Sequence, residues 1–329
     1  MLSVFDKNKS LGTLDGIVKK FPVDINGPSS NVTIRLTEDG SAWLATPFCI
    51  FAVLMIFHGF MYVFTKDKRK PSKTLLLIPL LINSIMTYAY FTYASDLGST
   101  GVPVELTHAG TGIRQVFYSK FIAWFLTWPL VLISFEITSH TSSNTDNETD
   151  FVTRVIQLFQ NVFIKLVYIE IFIVLFLIGA LVETTYKWGY FTFGVCALLF
   201  VSYLVCVDVH RSFLSDAPTS KWGNYLVYFT LFIWHLYPIS WGLSEGGNVI
   251  QPDSEAVFYG ILDLINFGIV PTALTWISVR NINEECFRNG VGNGCPCNCR
   301  NKELESIPTG QSGDTAVGAY GRYANDETV

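Results

Sequence analysis

Seven apolar stretches of about twenty residues, separated by short polar breaks, constrain this chain more than any other feature. They run over 41–64, 74–93, 116–138, 162–182, 188–207, 224–243 and 256–279. As a helix, each is long enough to cross a hydrocarbon layer about 30 Å thick. Backbone polar groups in lipid must be satisfied within their own segment, which selects helices for runs of this kind. The fourth and fifth stretches are parted only by Glu183, Thr184, Thr185, Tyr186 and Lys187. Together they make about 45 residues, too many for one crossing, so a helical hairpin is expected. The fold class that follows is an all-α membrane protein, a seven-transmembrane helix bundle.

Composition agrees. Half of the 329 residues are hydrophobic and only 15% are charged, against about 25% charged in soluble domains. Mean hydropathy is +0.36. The net charge of −5 carries no basic bias that would point to nucleic acid.

The chain divides into a polar segment 1–40, the bundle 41–279 and a polar tail 280–329. Residues 1–40 lack the apolar core of a cleavable signal peptide, so the first span is expected to direct insertion. Lys66, Lys68, Arg69, Lys70 and Lys73 crowd between spans one and two, whereas only Arg35 stands close upstream of span one. The positive-inside rule then predicts an extracellular N-terminus and a cytoplasmic C-terminus. The tail is poor in large apolar residues and is expected to be disordered.

The seven cysteines show no paired spacing in the outer loops, which argues against a disulfide framework. Cys295, Cys297 and Cys299 are candidates for palmitoylation in the tail; a soft-metal site and an exposed reduced segment without either role are the other readings. Of three Asn-x-Ser/Thr sequons, Asn8 and Asn31 fall outside and are candidates for N-glycosylation, while Asn147 falls in a cytoplasmic loop.

Ionisable residues inside spans are the default functional candidates, because a charge at mid-bilayer costs at least about 2.5 kcal/mol. They are His58, Lys120, Lys165, Glu170, His235 and Asp263. Lys120 and Lys165 lie about one turn inside span ends and are expected to snorkel to the headgroups. Glu170 is about 140° around the helix from Lys165 and is no natural partner for it. It is expected to be neutral or bonded to a neighbouring helix, with a proton-relay role as the functional alternative. Asp263 must face the bundle interior, where Tyr90, Tyr237, Trp124, Trp234 and Trp241 offer donors on apolar bodies. Glu245 and Glu255, at the ends of spans six and seven, are either solvated loop carboxylates or an ordered cluster.

Several linked motifs resemble the microbial rhodopsin family, most closely its fungal opsin-related subgroup of the yeast thirty-kilodalton heat-shock protein class. They are Ala123-Trp-Phe-Leu-Thr-Trp-Pro129, Trp234-His-Leu-Tyr-Pro-Ile-Ser-Trp241, and the pair Glu245 and Glu255 ahead of Leu262-Asp263. Gly112-Ile-Arg-Gln-Val-Phe-Tyr-Ser-Lys120, Thr185-Tyr-Lys-Trp-Gly-Tyr190 and Gly246-Gly-Asn-Val-Ile-Gln-Pro-Asp253 look like that subgroup. The resemblance implies a microbial-rhodopsin-like bundle. It also implies vestigial retinal-pocket positions at Tyr90, Ala123, Trp124, Thr127, Trp234, Tyr237, Pro238, Trp241, Asp263 and Phe267. Phe267 stands where the family's retinal-linking lysine belongs, and an aromatic ring cannot form an imine. Ala123 replaces the proton-accepting aspartate, Ser134 the donor carboxylate of many pumps, and Lys120 the usual arginine. No covalent retinal, and no other cofactor, is therefore expected. With the cation gone, Asp263 is left protonated, hydrogen-bonded to Tyr90 and Tyr237, or paired with Lys120, and hydrogen bonding to the tyrosines is favoured.

The resemblance implies a stress-responsive plasma-membrane protein, not an enzyme, that acts through a membrane partner and restrains the plasma-membrane proton ATPase. Homo-oligomers also occur in the family. One alternative is a proton or small-acid transporter relaying through Lys120, Glu170, Glu245, Glu255 and Asp263. Another is a noncovalent retinoid or lipid binder. A G-protein-coupled receptor is disfavoured, because span three ends in Ser134-Phe-Glu-Ile-Thr138 and span seven lacks an Asn-Pro-x-x-Tyr ending.

Overall fold

The computed structural model describes residues 22–29, 31–65, 73, 75–142, 151–212 and 218–289. After a short helix α1 (Pro22–Asn26), span one is α2 (Glu38–Phe64) and span two is α3 (Leu77–Ala94). A hairpin of β1 (Ser99–Pro103) and β2 (Ile113–Phe117) leads into span three, α4 (Tyr118–Ser142). Spans four, five and six are α5 (Phe151–Leu181), α6 (Lys187–Ser212) and α7 (Pro218–Trp241). Span six closes in a π turn over Gly242–Gly246. Span seven is α8 (Pro252–Asp263), a π segment (Leu264–Ile269) and α9 (Val270–Asn289). All seven spans are long and apolar enough to cross a membrane.

The expected spans match these helices with three corrections. Val116 and Phe117 belong to β2, so span three begins at Tyr118. Helical backbone continues past 279 to Asn289, where a disordered tail was expected. The π segment in span seven was not foreseen, and it contains Phe267. Asn8, Lys66 to Lys70, Asn147, Cys295, Cys297, Cys299 and the rest of the tail lie outside the described residues.

The β hairpin closes one end of the bundle, called the hairpin end below. Its strands pair antiparallel with Gly101 opposite Gln115. The segment before span one joins them through a parallel bridge of Ile34 to Arg114, and Gln115 Oε1 accepts the Leu36 N–H at 3.0 Å. Span one starts at Thr37, whose extended backbone supplies the N-cap. Its N–H donates to Asp253 Oδ1 at 2.8 Å and its hydroxyl to Oδ2 at 2.6 Å, fastening span one to the start of span seven. Gly40 is required beside this contact, since a Cβ there would stand 2.3 Å from Asp253 Oδ1.

Apolar side chains divide between two environments, as lipid makes the outer surface as apolar as the core. Ile56, Phe60, Phe163, Ile171 and Phe232 face outward, whereas the largest rings turn in. Trp124, Trp128, Trp234, Tyr237 and Tyr259 are fully buried and form a continuous aromatic column between spans three, six and seven, while Trp241 packs against Phe176, Trp188 and Phe191 of spans four and five.

Candidate functional site

The column holds a carboxylate. Asp263, the last residue of α8, is 2% exposed. Tyr90 from span two donates its hydroxyl to Oδ2 at 2.7 Å, and Tyr237 from span six donates to Oδ1 at 2.8 Å. Trp124 Nε1 of span three donates to both oxygens, at 3.1 and 3.3 Å. Of the five donors expected around Asp263, these three reach it. Trp234 Nε1 instead donates to Asn266 Oδ1 at 2.8 Å, and Trp241 Nε1 to the Phe176 carbonyl at 3.1 Å. A buried carboxylate surrounded by neutral donors keeps its hydrogen bonds without a cation beside it.

Lys120 lies elsewhere. It is 5% exposed and its Nζ contacts Glu245 Oε1 and Glu255 Oε1. Its ammonium also stands 4.2 Å from the Tyr259 ring centroid. Glu255 takes a second cation, Arg114 of β2, at 2.7 Å. Arg114 further donates to Asn248 Oδ1 at 2.7 Å and to the Ile250 carbonyl at 2.8 Å. Glu245 accepts from the hydroxyls of Ser244 and Tyr259. Lys120 therefore does not snorkel, because two carboxylates hold it inside. Glu245 and Glu255 are likewise no solvated loop groups: the π turn and the N-terminus of α8 aim both inward.

Lys165 is corrected in the same way. It is 4% exposed and meets Glu136 Oε2 of span three at 2.9 Å and Asp208 Oδ2 of span five at 2.7 Å, near the opposite end of the bundle. Glu170 is half-buried on the same helix, and its Oε2 has no hydrogen-bond partner. His58 and His235 each place Nδ1 against a backbone carbonyl four residues earlier, at 2.7 and 2.6 Å, which gives both a structural place. Ala123, Thr127 and Ser134 are buried in span three, where Thr127 donates to the Ala123 carbonyl at 2.8 Å and Ser134 to the Val131 carbonyl at 2.7 Å. Pro238 lies inside α7. Asn31 is exposed in a turn.

Four participants escaped sequence reasoning. Arg114 sits in a loop motif that gives no sign of folding back onto span seven. Glu136 and Asp208 lie near span ends and look solvated. Trp128 did leave a signal: it is four residues after Trp124 and shares its helix face.

Phe267 is fully buried. Its ring meets Trp128 edge-on, with centroids 6.1 Å apart. Trp128 also touches Trp234 at 4.9 Å and Tyr237 at 5.4 Å, and Trp124 touches Tyr237 at 5.2 Å. Position 267 carries a phenyl ring and no amine, so it cannot hold retinal as an imine.

Comparison with known proteins agrees with this architecture. The chain is 37% identical over 257 residues to the 30 kDa heat shock protein of Saccharomyces cerevisiae, covering 75% of each chain. It is 34% identical over 290 residues to the opsin-like protein carO of Fusarium fujikuroi, covering 83% of this chain and 87% of that one. Among solved structures, the light-driven proton pump LR (Mac) of Leptosphaeria maculans superposes with a TM-score of 0.63 at 21% identity, over 77% of this chain and 99% of that one. Acetabularia rhodopsin I gives 0.63 at 23% identity, over 78% and 100%. The family model of the bacteriorhodopsin-like proteins matches residues 42–278, and the chain belongs to that family.

Proposed function

We propose that this is an opsin-related protein of the plasma membrane that works without retinal photochemistry, by contact with another membrane protein during stress. The observation that carries this reading is the packing of Phe267 against Trp128, which fills the core where a chromophore and its amine would be needed. The carboxylate at the centre, Asp263, is engaged by Tyr90, Trp124 and Tyr237, as expected of a scaffold. The name of the yeast relative, a heat shock protein, supports the stress role. The plasma-membrane proton ATPase as the restrained partner rests on the family resemblance. In this reading the N-terminus is outside and the protein is not an enzyme.

The transporter reading draws less support. On the side of Asp263 that leads toward Lys165, its buried neighbours are Trp128, Trp234, Phe267 and Asn266, which is bonded to Trp234 Nε1, and none of the four is ionisable. Proton relays through membrane helices run along Asp, Glu or His chains.

Two measurements test the proposal. Purified protein given retinal is expected to show no visible absorption band. Crosslinking in stressed cells is expected to capture the ATPase, and a deletion strain to show altered proton efflux and reduced survival in weak acid. Unchanged efflux and survival with no crosslinked partner would sink the reading, and a visible band would remove its non-photochemical part.

A further inference from the structure

Two polar groups near mid-depth open onto the outside of the bundle without a partner. Glu170 of span four is half-buried and makes no hydrogen bond or ion pair among the described residues. Its Oε2 is covered, which leaves Oε1 as the oxygen open to the outside. His235 of span six is half-buried as well. Its Nδ1 is spent on the Leu231 carbonyl, while Nε2 is neither bonded nor covered. The partly exposed hydroxyls of Ser84, Thr87 and Thr192 return to the carbonyl four residues earlier. Glu170 and the Nε2 side of His235 have no such closure.

The two groups share a depth. Spans four and six cross in the same direction, and Trp241 Nε1 of span six donates to the Phe176 carbonyl of span four at 3.1 Å. Trp241 lies six residues after His235, and Phe176 six residues after Glu170. Both groups therefore stand about 9 Å to the same side of that bond. Their surroundings match too. Glu170 lies in an outward row with Phe163, Val167 and Val174, and His235 in one with Tyr228, Phe232 and Ile239. Steps of four, three and four residues build both rows, the spacing along which two helices pack at a shallow crossing angle.

Their chemistry is complementary. A charge at this depth is costly, so Glu170 stands as the acid and carries an O–H donor. His235 holds its hydrogen on Nδ1 and leaves Nε2 as an acceptor. They do not meet within one copy. A bilayer holds a neighbouring copy at the same depth and orientation, where they can. We propose that copies of this chain associate side by side, with Glu170 of one copy donating to His235 Nε2 of the next between these two rows. Such a contact joins unlike faces, so its repetition closes a ring. This proposal does not depend on the partner reading above.

The test uses the full chain with an N-terminal fluorophore, diluted stepwise into phosphatidylcholine vesicles, and energy transfer between copies gives the dissociation constant. Self-association is expected. Glu170→Leu and His235→Leu should each weaken it roughly three- to thirtyfold, the range of one interhelical hydrogen bond in lipid. The double variant should cost no more than either single one. Glu170→Gln keeps a donor and is expected to associate nearly as the native chain does, which a merely structural role for the acid would not predict. Tm in dilute detergent should stay native in all of these, since both groups border lipid. Copies carrying Val167→Cys, mixed with copies carrying Phe232→Cys, are expected to form a disulfide between those two positions under oxidation, mapped on peptides. The proposal is overturned by a chain that stays monomeric, by leucine variants that associate like the native chain, by additive losses in the double variant, or by Val167→Cys copies that link to one another instead.

Discussion

Asp263 and the pair Glu245 and Glu255 are buried to similar degrees in one bundle, yet they are satisfied by opposite means. Asp263 accepts from Tyr90, Tyr237 and Trp124, all neutral. The two glutamates face two cations, Lys120 and Arg114. A single carboxylate spreads its charge over three donors, whereas two carboxylates sharing one ammonium repel each other and need positive charge to stay ionised together. The centre depends on donor geometry and the hairpin end on charge balance, so the two should fail differently under mutation.

The largest effect belongs to the charged end. Lys120→Met leaves Glu245 without its cation and Glu255 with Arg114 alone, and is expected to cost about 3–5 kcal/mol, the cost of breaking a buried pair. Denaturation midpoints in detergent read this directly. Adding Glu245→Gln to Lys120→Met should recover part of the loss, because one cation then faces one carboxylate. A single variant within about 1 kcal/mol of the native protein would show that charge balance is not what holds this end.

The central layer should respond to shape. Phe267→Ala removes a ring that is fully buried against Trp128, and the cavity term predicts a loss of about 3 kcal/mol. Phe267→Leu, which keeps most of the volume, should lose less than half of that. Equal losses for both would mean that the ring's edge contact, rather than its volume, is what matters.

Donor deletion is expected to be milder. Tyr90→Phe and Tyr237→Phe each remove one hydrogen bond to Asp263, worth about 1.5–3 kcal/mol if the carboxylate is ionised. Since both donors serve one group, the double variant should depart from additivity, and a double-mutant cycle measures by how much. Single losses below about 0.5 kcal/mol would mean that neutral donors are not what stabilises the centre.

The bundle could be read from sequence because run length alone decides whether a segment spans. The hairpin could not: β1 is Ser-Thr-Gly-Val-Pro, polar and short, and its partner β2 is also bridged by Ile34, a residue about 80 positions away in the chain. Asp263 and its tyrosines were legible because a lone carboxylate in an apolar run must find donors on facing helices. Lys120 and Lys165 misled for one physical reason. Snorkelling is judged from a single helix, whereas their partners come from spans three, five, six and seven, and only the packed bundle brings those together. The π segment around Phe267 is set by packing between helices and leaves no periodic trace.

Asp96 sharpens the comparison, because it is satisfied by neither device in full. It has one neutral donor, Gln115, and no ion pair, so burial dominates and its carboxyl titrates above the ordinary aspartate range, against smaller opposing pulls from Gln115 and Arg35. The sign of the stability effect follows. A carboxyl whose folded pKa is raised binds its proton more tightly in the native state than in the unfolded chain. Its contribution is therefore fully present below the unfolded value, about 3.9, and is lost as pH rises through the folded value. This is the reverse of a carboxylate held by cations, whose contribution grows with pH. Asp96→Asn has no proton to lose and should remove this downward component from the Tm profile, with a net effect smaller than any above. A native-minus-variant Tm difference that rises with pH across this window would place Asp96 among the charge-balanced carboxylates, with a cation nearer than Arg35.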